Sequence, residues 1–309
     1  MSHFKWLASV TLASMTFAAS ILPVHAEPHC PGNVDILRFR LVRSSQIIVP
    51  VKINHTGPYD FLVDTGAQVT TIDPALAAEL HLTMEGTVRF VGVGFHTYPS
   101  FAHLDTLEAG SHAKANPLVV VHNLGYLPAA DPRIRGILGG NFLQHFDVLI
   151  DYAHNILCLD DAKVMQPEVK GKHIALITPP HSDGEVVSTE PLILAVYLSG
   201  IAGRSPLLLL DSGVSTPFLY DIGKDIAGGF SASAPIRDKG PDGIERVFSI
   251  VPPQEMEIGK LTFHRISFVT PATTRKDIPK VEVDGLLPTV LFRRLYISYS
   301  DRFVVLESW

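Results

Sequence analysis

The sequence predicts an all-β protein of two similar lobes. Apolar residues make up 46% of the 309-residue chain and charged residues 18%, which provides enough apolar material for packed cores. Runs rich in Val and Ile, such as residues 45–53 and 118–121, alternate with Gly, Pro and Asn, a pattern typical of short strands joined by turns. Motifs also recur at separations of 147 to 149 residues, and each half, about 140 residues long, has the usual size of a domain.

The first 26 residues are predicted to be a signal peptide. Lys5 precedes an apolar stretch at residues 6–22, and Val24-His25-Ala26 has the small-residue form of a cleavage site. An uncleaved membrane anchor is the alternative, but a stretch of ~17 residues that includes several Ser and Thr is marginal for spanning a bilayer. We therefore expect a mature chain that begins at Glu27, is secreted or periplasmic, and is not stably inserted in a membrane.

Export would place the protein in an oxidising compartment, where disulfides persist. Cys30 and Cys158 are the only cysteines, so they can form a single intramolecular disulfide. Two buried or free thiols are the alternative.

The internal repeat extends over most of the chain. Two pairs of segments align at a separation of 149 residues and a third at 147, namely 107–110 with 256–259, 136–139 with 285–288, and 152–159 with 299–306. A period this long indicates a duplicated domain rather than a solenoid. We expect an N-terminal lobe at residues 27–165 and a C-terminal lobe at residues 166–309.

Two aspartate triplets occupy equivalent points of the repeat. Asp64-Thr65-Gly66 and Asp211-Ser212-Gly213 each follow an apolar run, so each aspartate stands where an otherwise buried strand ends. A lone buried carboxylate is costly, whereas a matched pair is what acid/base hydrolysis of an amide needs. The alternative is that both aspartates only cap turns.

Helical signals follow both triplets. Asp73-Pro74 offers an N-cap and a proline at the first helical position before residues 75–80. A weaker helical stretch runs from residue 218 to Ala227 and is ended by Gly228-Gly229. The chain is therefore expected to turn sharply after Asp64.

Charge and histidine spacing argue against other classes of site. The formal net charge is −6 and no basic stripe is interleaved with aromatic residues, so we expect no nucleic-acid partner. The 14 histidines show no metal-ligand spacing on a recognisable helix, and Ser212 lacks the Gly-x-Ser-x-Gly elbow of a serine hydrolase. No metal or other cofactor is expected.

These residues resemble the retropepsin-like aspartic proteases, which share their active-site design with pepsin. The resemblance spans nearly the whole chain after residue 26. In that family an apolar-apolar-Gly motif followed by a short helix supports the aspartate loop, and Ile137-Leu138-Gly139 with Asn141-Phe142-Leu143 looks like this motif. The resemblance implies an all-β, bilobal acid-protease (pepsin-like) fold made from two retropepsin-like halves. Because one chain holds both halves, a monomer is expected.

The same resemblance implies an aspartic endopeptidase that acts on a peptide or protein substrate. Asp64 and Asp211 would share a proton, one acting as base on a bound water and the other as acid toward the scissile carbonyl. In the active-site loops, the glycines would allow close approach and the hydroxyls would brace one loop against the other. The loop residues are Thr65, Gly66, Ala67, Ser212, Gly213 and Val214. Because Ala67 and Val214 carry no hydroxyl donor, we expect a less acidic dyad than that of pepsins.

The second half departs from the family pattern. Pro288 stands where a glycine is expected, Val290 stands where the first half has Asn141, and Val214 is bulkier than the usual small residue. Either the second loop is repacked or it is distorted. A distorted loop would favour an alternative function, a non-catalytic peptide-binding or inhibitory protein with the same fold.

Two segments are candidates for the hairpins, or flaps, that cover the cleft in this family. Residues 90–95 are rich in glycine and flanked by apolar residues, and residues 239–243 have the composition of a hairpin tip.

Overall fold

The structure is a computed structural model that describes residues 29–92, 95–125, 127–178, 189–220, 236–239, 245–271 and 283–309. The predicted signal peptide lies outside these ranges, as do residues 221–227 of the weak helical stretch. The start of that stretch was predicted wrongly, because Phe218–Leu219 is a strand paired in a sheet. Within them, no helix has the length and apolar character needed to cross a membrane.

Strands make up most of the described chain and are numbered in chain order. The strands of the first half are β1 (Leu37–Arg38), β2 (Arg40–Val42), β3 (Gln46–Ile53), β4 (Thr56–Val63), β5 (Thr71–Ile72), β6 (Gly86–Thr87), β7 (Phe90–Gly92), β8 (Phe95–Thr97), β9 (Ser100–His103), β10 (Thr106–Ala109), β11 (His112–Ala115), β12 (Leu118–Val121), β13 (Ile134–Leu138), β14 (Asp147–Asp151) and β15 (Ile156–Asp160). The strands of the second half are β16 (Ile174–Ala175), β17 (Ile193–Ala195), β18 (Tyr197–Leu198), β19 (Leu207–Asp211), β20 (Phe218–Leu219), β21 (Ile236–Lys239), β22 (Glu245–Ile258), β23 (Leu261–Pro271), β24 (Gly285–Pro288), β25 (Arg294–Ser298) and β26 (Phe303–Glu307).

The helices are short. They are α1 (Pro74–Glu79), α2 (Leu127–Ala130), α3 (Gly140–Leu143) and α4 (Ala162–Met165), with 3-10 segments at Pro31–Asn33, Gln166–Glu168 and Thr289–Leu291. Helix α1 lies where the sequence predicts it, because the Asp73 carboxylate accepts the Leu76 N–H at 2.7 Å and Pro74 occupies the first helical turn.

The first half has its own sheet, with β2 paired to β3 and the remaining strands in the order β11-β10-β3-β4-β13-β5-β12-β9-β6. Burial alternates along the end of β3, where Val49, Val51 and Ile53 are fully buried while Pro50 and Lys52 face solvent. β4 lies between β3, to which it is antiparallel, and β13, to which it is parallel. This central position places the end of β4 inside the molecule.

The sheet of the second half repeats this arrangement. Its strand order is β17-β19-β24-β20-β23-β22-β18, with β21 paired to β22. β19 is antiparallel to β17 and parallel to β24, as β4 is to β3 and β13. β20 is antiparallel to β24, as β5 is to β13. β4 and β19 therefore end at matching points of the two sheets.

A third sheet joins the halves, with strand order β1-β15-β14-β25-β26-β16. β14 pairs with β25 in antiparallel register from Val148 opposite Ile297 to Asp151 opposite Arg294. Buried apolar residues from both halves form one continuous cluster, so the halves are packed together and not merely tethered. The lobe boundary expected at residues 165 and 166 lies between β15 and β16, which both belong to this shared sheet, and it stays a prediction.

A disulfide links the start of the described chain to this central sheet. Cys30 and Cys158 are bonded with an S–S distance of 2.01 Å and a Cα–Cα distance of 5.7 Å. Both are buried among apolar side chains that include Leu149, Tyr296 and Phe303. Of the two alternatives open from the sequence, the bridge is the one found.

Candidate active site

The ends of β4 and β19 bring Asp64 and Asp211 together. The Asp64 N–H donates to the Leu138 carbonyl at 3.0 Å, which keeps the chain in register with β13 as far as the aspartate. Asp211 is the last residue of β19 and lies opposite Pro288 of β24. The two carboxyl groups are hydrogen-bonded to each other. The two triplets singled out in the sequence therefore meet in one site.

Each triplet glycine packs against the carboxyl group of the other half. A Cβ atom at Gly66 would lie 2.5 Å from Asp211 Oδ2, and a Cβ atom at Gly213 would lie 2.5 Å from Asp64 Oδ2. Both distances are far below van der Waals contact. Glycine is therefore required at both positions for the carboxyl groups to approach each other, which is the role expected from the sequence.

Backbone amides hold each carboxyl group in its loop. Asp64 Oδ1 accepts the N–H groups of Gly66 at 2.9 Å and Ala67 at 3.0 Å. Asp211 Oδ1 accepts the Gly213 N–H at 2.7 Å, and the Val214 N–H also donates to Asp211. The two loops thus present matching donors, and the side chain of Val214 does not disturb them.

The two hydroxyl residues of the triplets lock the loops together. The Thr65 hydroxyl donates to the Leu210 carbonyl at 2.8 Å and accepts the Ser212 N–H at 3.1 Å. In the mirror arrangement, the Ser212 hydroxyl donates to the Val63 carbonyl at 2.7 Å and accepts the Thr65 N–H at 3.1 Å. Both side chains are buried, so these four hydrogen bonds form away from solvent, where an unpaired group would be costly.

Burial and mutual charge set the proton affinities of the pair. Burial raises the pKa of Asp64, and the amides of Gly66 and Ala67 offset part of this effect. The pKa of Asp211 is raised further, first by burial and then by the negative charge of Asp64. Carboxyl groups in contact titrate as one coupled unit. The two groups therefore share one proton, so that one carboxyl group is neutral while the other is ionised.

The supporting motif lies directly beneath the first loop. Ile137 and Leu138 pair in parallel with the end of β4, and Gly139 packs so closely on the loop that a Cβ atom there would lie 2.6 Å from the Val69 carbonyl carbon. Asn141, in α3, accepts both the N–H and the hydroxyl of Thr70 at 2.8 Å. These contacts fix the chain that leaves the loop.

One departure of the second half, Val290, is matched by a second change. Val269 N–H bonds to the Pro217 carbonyl at 2.9 Å as Val120 N–H bonds to the Thr70 carbonyl at 3.0 Å, so Pro217 is the counterpart of Thr70. Val290 is the counterpart of Asn141. Proline has no N–H to satisfy, so the loss of the asparagine acceptor leaves no orphaned donor. The second loop is repacked, and its donors to Asp211 are kept.

One residue of the site carried no sequence signal. Gln46, at the start of β3, is buried, and its Nε2 donates to the Gly213 carbonyl at 2.9 Å. This bond joins the first half to the second aspartate loop. A single glutamine at the start of a strand forms no recognisable motif, and its contact depends on the packing of the two halves.

Hairpins form at both segments expected to be flaps. β7 and β8 pair in antiparallel fashion, and residues 93–94 between them lie outside the described chain. β21 pairs with β22, and residues 240–244 between these strands likewise lie outside it. The Phe248 ring of the second hairpin lies edge-on to Phe218, which follows the second aspartate loop, with ring centroids 5.8 Å apart.

The described residues contain no group of three or more His, Cys, Asp or Glu side chains arranged to hold a metal ion. Several histidines instead contact single carboxylates, among them His103 with Glu85 and His154 with Asp151.

The chain is similar to known proteins in sequence and in structure. Residues 49–142 match the family model described as aspartyl protease. An aspartic proteinase from Irpex lacteus has a similar structure with a TM-score of 0.51 and 11% sequence identity, over 89% of this chain and 97% of that chain. A retropepsin-like aspartic protease from Rickettsia conorii matches 41% of this chain and 89% of its own, with 20% identity and a TM-score of 0.30. A search of curated protein sequences found no match.

The fold is therefore that of a bilobal, all-β, pepsin-like acid protease. The resemblance to retropepsin-like and pepsin-like aspartic proteases, predicted from the two triplets, is confirmed. This similarity supports a hydrolase with protease activity in general.

Proposed function

We propose that this protein is an aspartic endopeptidase in which Asp64 and Asp211 hydrolyse peptide bonds by activating water. The observation that carries the proposal is the hydrogen-bonded, buried carboxyl pair, in which each group packs against the triplet glycine of the other half and burial raises both pKa values. An ionised and a neutral carboxyl group in contact provide a base and an acid at one place, which is what this hydrolysis requires. Two aspartates that only cap turns would not need to touch.

The reaction begins with a water molecule between the two carboxyl groups. Ionised Asp64 takes a proton from the water as the water oxygen attacks the scissile carbonyl carbon, while Asp211 gives its proton to the carbonyl oxygen. The resulting gem-diol breaks down when Asp64 passes its proton to the amide nitrogen and the C–N bond breaks. Asp211 recovers a proton from a gem-diol hydroxyl as the product acid forms. No covalent bond to the protein is made, and the pair ends as it began.

The proposal includes how the protein exists in the cell. It is exported, loses residues 1–26, and works as a secreted or periplasmic monomer whose two lobes arose by duplication. The buried Cys30–Cys158 bridge supports an oxidising compartment. The equivalent β3-β4-β13 and β17-β19-β24 arrangements support the duplication. The presence of both triplets in one chain supports the monomer.

Matched aspartate variants test the catalytic assignment. Asp64→Asn and Asp211→Asn should each abolish cleavage of an unfolded protein substrate, followed by mass spectrometry of the products, because neither variant keeps the acid/base pair. Asp105→Asn is the control, because this exposed aspartate lies in the turn between β9 and β10. Activity retained by either dyad variant would refute the mechanism. Peptide binding without cleavage by the wild-type protein would support the non-catalytic alternative.

Dilution separates a monomer from a dimer built from two first halves. A monomer keeps its specific activity on dilution and elutes at one chain mass in sizing chromatography. A dimer whose specific activity falls on dilution, together with an active Asp211→Asn variant, would show that the second lobe is only a scaffold.

A further inference from the structure

The two aspartate loops are supported from below in different ways. The first loop is held within its own half, where Asn141 accepts twice from Thr70 and its Nδ2 donates to the Leu118 carbonyl at 2.7 Å. In the second half the counterparts of Thr70 and Asn141 are Pro217 and Val290. Neither has a polar side chain, so this network cannot form there.

A contact from the first half reaches the second loop instead. Tyr152 directly follows β14, and its Oη lies 2.6 Å from the Thr289 hydroxyl. Thr289 is fully buried and Tyr152 is 5% exposed, so this hydrogen bond is shielded from water. Thr289 follows Pro288, which lies opposite Asp211 in the paired strands β24 and β19. The bond therefore ties the closing strand of the first half to the chain that supports Asp211.

The mirror-image contact is missing from the first loop. Tyr299 follows β25 as Tyr152 follows β14, and Gly140 is the counterpart of Thr289. Glycine offers no hydroxyl, and Tyr299 Oη is buried without a hydrogen-bond partner among the residues that the structure describes. A Cβ atom at Gly140 would already lie 3.3 Å from the Ala67 carbonyl oxygen, which leaves little room for a threonine.

Both tyrosine hydroxyls lie within the electrostatic field of the dyad. The pKa of Tyr152 is raised by burial and by the negative charge of Asp211. The pKa of Tyr299 is raised by burial and by the negative charge of Asp64. The charge of the aspartate of the other half thus helps to keep each tyrosine neutral. Tyr152 acts through a hydrogen bond and not as an acid.

We propose that Tyr152 is a positioning residue for Asp211, and that with Thr289 it gives the second loop the support that Asn141 and Thr70 give the first. The inference deepens the proposed proteolytic function and rests on it for its kinetic consequence. Its structural consequence, a second loop that depends on a side chain of the first half, can be measured without any cleavage.

A matched pair of tyrosine variants provides the kinetic test. Tyr152→Phe leaves the buried Thr289 hydroxyl unpaired, whereas Tyr299→Phe removes a hydroxyl that has no described partner. We expect Tyr152→Phe and Thr289→Val each to lower kcat about tenfold, or ~1.4 kcal/mol, with KM unchanged. Tyr299→Phe should stay within about twofold of the wild type. Thr289→Ser, which keeps the hydroxyl, should have a kcat close to that of the wild type. The double variant Tyr152→Phe/Thr289→Val should lower kcat little more than either single change does.

Amide hydrogen exchange provides the test that needs no activity. In Tyr152→Phe, the Gly213 and Val214 amides, which bind Asp211, should exchange faster than in the wild type. The Gly66 and Ala67 amides, which bind Asp64, should not change. Asn141→Leu, which removes the support of the first loop, should show the reverse pattern and serves as the matched control.

The two measurements distinguish the possible failures. Equal kinetic effects of Tyr152→Phe and Tyr299→Phe, or a uniform rise of exchange in both loops, would overturn the positioning role. A wild-type protein that cleaves no peptide would refute the proposed function, and the exchange pattern alone would then decide the role of Tyr152. If Tyr152→Phe does not fold, the Thr289→Val and Thr289→Ser comparison carries the same test.

Discussion

Replacing Gly213 with alanine should disable the dyad while the protein still folds. The new Cβ atom would lie 2.5 Å from Asp64 Oδ2 and 2.7 Å from Asp64 Cγ, whereas nonbonded heavy atoms prefer about 3.5 Å. Relieving the overlap requires a relative movement of about 1 Å, which separates Asp64 from Asp211. A misplacement of this size costs about 100-fold in rate. Gly66→Ala, whose Cβ atom would lie 2.5 Å from Asp211 Oδ2, should have the same effect.

A second alanine variant separates this effect from a general loss of stability. Gly203 has a φ angle of +82° and no atom within 4 Å of its added Cβ, so Gly203→Ala costs about 1 kcal/mol of backbone strain without touching the site. Steady-state kinetics with an internally quenched peptide gives kcat, and thermal unfolding gives Tm. We expect Gly203→Ala to lower Tm at unchanged kcat, and Gly213→Ala to lower kcat far more than its Tm would explain. A Gly213→Ala enzyme with kcat within about threefold of the wild type would refute the close-approach argument.

Three further predictions follow from the same geometry. Replacing Cys30 and Cys158 together with alanine should lower the free energy of unfolding by about 5 kcal/mol in the chain-entropy account, because the bridge spans 128 residues. A guanidinium unfolding curve that matches the wild type would contradict this. Ala67→Ser should add a donor to ionised Asp64 and move the acidic limb of the kcat/KM profile down by about one pH unit, so an unmoved limb would show that the added hydroxyl does not reach the carboxylate. Because the pKa of Asp211 is raised in the folded state, this carboxyl group contributes stability below about pH 4 that is lost as pH rises. Asp211→Asn should therefore have a higher denaturant midpoint than the wild type at pH 7, and the difference should vanish toward pH 3. Equal midpoints at both pH values would contradict the raised pKa.

Sequence patterns predicted the parts of the site that are local or repeated. The apolar runs before Asp64 and Asp211 predict strands that end at the aspartates, and the glycine two residues later predicts close approach. The sole cysteine pair allowed the disulfide that is found. The first two predictions succeed because each depends on residues within a few positions of one another and on a repeat that can be aligned, whereas the disulfide follows from there being only one possible pairing.

Contacts between the halves could not be predicted in this way. Gln46 bonds to the Gly213 carbonyl and Tyr152 to Thr289, and both pairs depend on how the central sheet packs the lobes. The alignment of the repeat shows that Pro217 and Val290 stand where the first half has Thr70 and Asn141. It does not show that the two changes compensate each other, because only the structure shows that Asn141 accepts from Thr70.

These contacts make the two halves unequal partners in one site. The first half holds the chain after its aspartate with Thr70 and Asn141, both its own residues. The second half takes its support from the first, through Gln46 at the Gly213 carbonyl and Tyr152 at Thr289. The shared central sheet, in which β14 pairs with β25, brings these side chains to the second loop. The geometry of Asp211 therefore depends on the packing of the lobes as much as on its own triplet.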